Sequence, residues 1–174
     1  MAVGVGLGLA DLPFSCADAY WEWVDMAEDG GVDSMWQTDR LVSPIPILEC
    51  MSAMAAIAGR TRRMKFGMNV ASLGLRDPLL TAKQCATIDF LSNGRLLPAF
   101  GVGSAVAPDW GATGRSPKGS GKVADEAMAL ITRLWREDAV SFQGEHFTYE
   151  NARIEPKPVQ KNLPFWIGGS SKPA

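Results

Sequence analysis

The chain is poor in the side chains that usually build metal centres. It holds one histidine, His146, and three cysteines among 174 residues. A single histidine excludes a multi-histidine metal site within this chain. Cys16, Cys50 and Cys85 are widely spaced, odd in number and without a C-x-x-C pair, which argues against a disulfide scaffold or a zinc site. Reduced thiols, no metal and a cytoplasmic setting are the expectation. No apolar run approaches the ~18 residues of a membrane-spanning helix. The first residues, MAVGVGLGLADLPF, lack a basic region and an A-x-A site, and so read as a strand and not a signal peptide. Neither sign of charge dominates, with 17 basic and 19 acidic residues and a net charge of -2. That balance gives no support for nucleic-acid or polybasic membrane contact.

What the chain does have is 47% hydrophobic residues, enough for one core and a single domain over 1–174. Strand and helix patterns alternate. Residues 3–9, 32–37, 64–71, 96–102 and 164–168 read as strands. Helices are expected over 17–29, 47–60, 78–91 and 122–136, the third with Leu79, Ala82, Ala86 and Phe90 inward. A polar, glycine- and proline-rich loop spans 104–121 and is long enough to be an active-site loop. Residues 139–160 read as a short hairpin or irregular excursion. The pattern is (βα)₄β, a parallel sheet either doubly wound or closed as part of a barrel.

In parallel α/β folds, chemistry collects where strands end. Asp39 beside Arg40 reads either as an acid/base group with a charge-stabilising neighbour or as a surface ion pair. Gly101-x-Gly103 lacks the third glycine of a dinucleotide fingerprint and reads as a tight strand exit. His146, among aromatics, reads as a packed or surface residue. Trp36 and Trp110 fall near strand ends, where they would border a ring-shaped ligand. The run Gly168-Gly169-Ser170-Ser171 follows a strand and suits an anion-binding turn.

Two runs are specific: P-x-x-x-A-K-Q-x-A-T-x-D-x-L-S-x-G-R before the glycine strand exit, and E-P-K-P-V-Q before W-I-G-G. With SMWQTDRLVSP and ADEAMALITRLWRED, they make the chain resemble the bacterial luciferase-like monooxygenase superfamily, in its deazaflavin (coenzyme F420)-dependent oxidoreductase branch. The resemblance implies a (βα)₄β portion of a TIM (β/α)₈ barrel, lacking the last three strand-helix units. It implies hydride exchange between F420 and a small organic substrate. FMN-dependent monooxygenation is the alternative, as is a non-catalytic half-barrel.

The resemblance also implies a non-proline cis peptide at Asn69–Val70 backing the ring, with Ser72 close by. Asp39 matches a contact to the ring's polar edge, and its replacement by alanine is expected to weaken cofactor reduction without unfolding the chain. Ser104 stands where relatives carry a catalytic acid or an aromatic residue. Gly169, Ser170 and Ser171 match the cofactor-phosphate turn. Half a barrel would leave sheet edges open and an inner face, expected to hold Val5, Met35, Phe66 and Phe100, without its opposing layers. A homo-oligomer or a second half-barrel is therefore the expected partner.

Overall fold

The computed structural model describes residues 3–169. Five parallel strand segments run through it in chain order. Strand β1 (Gly6–Leu9) is followed by helix α1 (Ala17–Asp29), β2 (Ser34–Gln37), α2 (Cys50–Arg60) and β3 (Lys65–Met68). After β3 come β4 (Ala71–Ser72), a 3₁₀ turn, α3 (Pro78–Leu91), β5 (Leu96–Leu97) and β6 (Ala99–Gly101). A short helix α4 (Pro108–Ala112), α5 (Ser120–Arg136), an antiparallel hairpin of β7 (Val140–Gln143) and β8 (Thr148–Ala152), and β9 (Trp166–Ile167) complete the order.

Pairing decides between the two expected architectures. One sheet has the order β1-β2-β3-β5 and another the order β4-β6-β9, all parallel. Because β4 continues β3 and β6 continues β5, each strand lies beside the next in sequence. A doubly wound sheet would reverse direction at a switch point. Unbroken sequential order is the wall of a barrel.

Both breaks have local causes. The strand expected over 64–71 divides at the cis Asn69–Val70 peptide, at the expected bond. The strand over 96–102 divides at Pro98, which has no N–H for a ladder. Its carbonyl is still used, accepting from Trp166 N at 2.9 Å.

The side expected for four core residues is reversed. Register aligns Leu7, Met35, Phe66 and Leu96 in one row, and the last three are buried among the helices. Phe66 lies beneath Arg95, which bonds the carbonyls of Ala58 and Thr61 at the end of α2. Phe100 lies 5.5 Å from Phe165, whose ring stacks on Trp135 of α5. Met35, Phe66 and Phe100 thus face the helix layer, and Val5 is exposed. The inner face carries Gly6, Gly8, Trp36, Gly67 and Ala99 instead. The alternation of a strand fixes which residues share a face but not which face is inward.

Helix boundaries moved where side chains cap. Helix α2 starts at Cys50 and not near 47, because the Glu49 carboxylate accepts the N–H groups of Met51 (3.1 Å) and Ser52 (2.7 Å). Asp77 caps α3 through Leu80 N at 2.8 Å, with Pro78 in the first turn. Ala82 and Ala86 are buried as expected, but Phe90 is exposed, because α3 presents Ile88 and Asp89 inward at that turn. The expected 104–121 loop contains α4, and α5 begins at Ser120.

Candidate functional site

The strand tips open into one cleft of about 790 Å³. Its walls come from the exits of β2 (Thr38, Asp39, Arg40), β3 and β4 (Asn69, Val70, Ser72), β6 (Gly101, Gly103, Ser104) and β9 (Gly168, Gly169), with the first turns of α5 closing one side. Asp39, Asn69, Val70, Ser72, Ser104 and Gly169, the expected site residues that are described, therefore share one hollow. Ser170 and Ser171 lie outside the described residues.

The floor is Val70 packed against two glycines. A Cβ on Gly168 would stand 2.6 Å from Val70, and one on Gly101 would stand 2.8 Å from it. Real side chains do not approach so closely, so both positions require glycine. Val70 sits between two strand exits, and its methyl groups occupy the space that a Cβ at either glycine would take. Gly103 has φ +80°, which bears out the tight strand exit.

Asp39 is not paired with Arg40. It is buried, and its Oδ1 accepts from Arg76 Nη2 at 2.6 Å while its Oδ2 accepts from Ser72 N at 3.0 Å. The Cys50 thiol donates to the same Oδ1 at 3.3 Å. Both readings of Asp39–Arg40, as a catalytic pair or as a surface ion pair, thus give way to a buried strut joining the exits of β2 and β4 to α2. Arg76 lies well beyond the window in which a sequence neighbour would be sought, and only the fold brings it to Asp39. Burial works against the charge on Arg76, but the acidic groups around it raise its pKa above the ordinary guanidinium value. Burial is the main cause that pushes the Cys50 thiol up, with Asp39 adding to it, so it is an inert donor here.

Asp39, Glu49 and Cys50 place three potential metal ligands within 4.8 Å of one another. Arg76 Nη2 occupies the space they share, at 2.6 Å from Asp39, 3.2 Å from Glu49 and 3.2 Å from Cys50. A cation is already present as a side chain.

Other expected residues separate. Trp110 is buried in α4, where its indole N–H donates to Ser104 O at 2.9 Å, so it braces the cleft and does not border it. Trp36 lies on the inner face of the wall, 5.8 Å from Trp166, and lines a second hollow of about 390 Å³ behind Val70. His146 is exposed in the β7–β8 turn, where its backbone N–H donates to Glu126. The features at and beside the cleft that the sequence reading missed are the close approach of Val70 to two glycines and the Asp109–Leu41 hydrogen bond, at 2.7 Å between Oδ1 and N. The second spans 68 residues and leaves no local signal.

A sequentially ordered parallel wall with a glycine-floored cleft at its strand tips defines half of a TIM-type barrel with a ligand site in the usual place for that fold. The family model for luciferase-like monooxygenases matches residues 15–174. The chain belongs to that family, whose members include F420- and FMN-dependent oxidoreductases and monooxygenases.

The F420-dependent glucose-6-phosphate dehydrogenase of Amycolatopsis mediterranei is 32% identical over 156 residues, covering 84% of this chain and 46% of that protein. An F420-dependent secondary alcohol dehydrogenase, solved in complex with an F420–acetone adduct, superposes with a TM-score of 0.84 at 25% identity, over 97% of this chain and 53% of the other. The oxygenating constituent of 3,6-diketocamphane monooxygenase from Pseudomonas putida, solved with FMN, shares the fold at a TM-score of 0.80 and 18% identity, over 95% of this chain and 51% of the other. The chain spans about half the length of the curated relatives it matches. Among the described residues, no helix is long and apolar enough to cross a membrane.

Proposed function

We propose that the cleft receives the tricyclic ring of coenzyme F420 and that the assembled protein exchanges hydride between F420 and a small organic substrate. The observation that carries this reading is the cleft floor, where the Val70 side chain packs against the bare backbone of Gly101 and Gly168. A flat ring needs such a surface, and a single Cβ at either glycine would push Val70 into it. The likeness to an F420-dependent dehydrogenase at 32% identity favours F420 over FMN.

When bound, the cofactor supplies the hydride chemistry, and the protein supplies position and electrostatics. Asn69, Val70 and Gly169 would back and flank the ring. Ser72 and Ser104 line the cleft, where their hydroxyls would offer hydrogen bonds and Ser104 would be the candidate for proton handling. Asp39 holds Ser72 N and Arg76, and so shapes the wall on which the ring's polar edge would rest. Ser170 and Ser171 follow Gly169 and would receive the cofactor's phosphate. The other half of a barrel, from a second copy or a separate chain, would cover the open inner face.

Titrating the folded chain with F420 and with FMN, followed by absorbance and fluorescence, tests this. Tighter binding of F420 is expected. Preference for FMN would favour the monooxygenase reading, and no binding of either by a folded chain would remove the proposal.

A further inference from the structure

Arg40 is the only cationic side chain lining the cleft among the described residues. Three arginines elsewhere in the wall are engaged: Arg76 by Asp39 and Glu49, Arg95 by the carbonyls of Ala58, Thr61 and Met64, Arg63 by those of Glu28 and Val32. The nearest acid to Arg40 is Asp109, with 3.8 Å between Nη1 and Oδ2, beyond hydrogen-bond reach. The arginine side chain is 39% exposed, the carboxylate 2%.

Asp109 explains why the guanidinium is held yet not used. Its Oδ1 accepts from Leu41 N, the residue after Arg40, at 2.7 Å. Its Oδ2 is buried without a hydrogen-bond partner. A buried carboxylate oxygen in that state attracts the nearest cation and orients it. Asp109 itself is fixed, because α4 is tied to the exit of β6 by Ala107 N and the Trp110 indole, both donating to Ser104 O. The guanidinium approaches Asp109 through Nη1, makes no hydrogen bond to protein among the described residues, and belongs to a residue that lines the cleft. The cleft's two acids do not compete: Asp39 is already bound to Arg76, and Asp125 stands across on α5.

We propose that Arg40 is the oxyanion receptor of the cleft, binding a carboxylate or phosphate on the small molecule that enters beside the ring. A guanidinium presents two parallel donors that match a planar oxyanion, a selectivity that an uncharged hydrocarbon or simple alcohol would not use. This rests on the ring-binding reading above and narrows its substrate to an anionic class. The source is the substrate and not the cofactor's phosphate. Arg40 follows β2 and the Gly168–Gly169 turn follows β9, three strand spacings away along the wall, or about 14 Å at ~4.8 Å per strand.

The test uses the whole chain, Arg40→Gln and Arg40→Lys, with benzoate and inorganic phosphate as calorimetric probes and riboflavin and FMN as fluorescent ones. Wild type is expected to bind benzoate or phosphate, Arg40→Gln at least tenfold more weakly, and Arg40→Lys in between, since it keeps charge without the fork. The loss is expected to exceed any loss of riboflavin, which carries no oxyanion, by at least tenfold. Equal anion affinity in wild type and Arg40→Gln, or no anion binding by wild type, overturns the proposal. If Arg40→Gln instead abolishes the advantage of FMN over riboflavin, the oxyanion is the cofactor's own and the substrate assignment is wrong. Failure of F420, riboflavin and FMN alike, with the anion effect intact, would remove the ring reading and leave the receptor standing.

Discussion

At the residue scale, the cleft is governed by which charges are already spent. Asp39 has only 3% of its side chain exposed and holds Arg76 at 2.6 Å, so it cannot be removed quietly. Breaking one partner of a buried ion pair leaves the other charge uncompensated and costs about 3–5 kcal/mol. Asp39→Ala is therefore expected to lower the midpoint of urea unfolding markedly, a stability cost that the sequence-based expectation of weakened cofactor reduction did not include. An unchanged midpoint would mean that Glu49, at 3.2 Å from Arg76, compensates alone. Phe66, fully buried between the strands and the end of α2, makes the apolar counterpart. Phe66→Ala is expected to cost about 3–5 kcal/mol by the same measurement, through lost burial and the cavity left behind.

At the element scale, helix starts are pinned by acids. Glu49 caps α2 with two N–H bonds and also reaches Arg76. Burial alone would raise its pKa, but the Ser52 and Met51 N–H groups and Arg76 together lower it. A lowered folded-state pKa means that its stabilising effect is complete above the unfolded carboxyl value, about 4.3, and is lost as pH falls through the folded value. Glu28 behaves alike. Its pKa is lowered, against burial, by the N–H groups of Arg62, Met64 and Arg63, which it ties to the end of α1. Thermal unfolding from pH 7 to pH 3 is expected to show a falling midpoint, and Glu49→Gln to flatten that fall. Identical slopes would show that the cap contributes nothing to acid stability.

At the scale of the whole molecule, no strand among the described residues pairs with the outer edge of β1 or of β9. Trp36 and Trp166 meet on its inner face, and Trp166 and Ile167 remain half exposed on the last strand. Exposed apolar strand edges invite pairing. Sedimentation of the chain at rising concentration is expected to show species heavier than 18.7 kDa, and Trp166→Lys to shift them toward monomer. A monomer at every concentration would show that this face does not drive assembly.

The sequence by itself determined the alternation of five strands with four main helices, because period-two and period-3.6 patterns are local. It also determined the strand exits that carry Asp39, Asn69, Val70, Ser72, Ser104 and Gly169, and the Asn69–Val70 bond, through motif likeness. Tertiary structure decided the rest. Only the sequential pairing separated a barrel wall from a doubly wound sheet. Only packing turned Met35, Phe66 and Phe100 toward the helices, since alternation is blind to which side the helices cover. Only the fold paired Asp39 with Arg76 across 37 residues and left Arg40 to Asp109 across 69, because charges choose partners by distance in space and not along the chain.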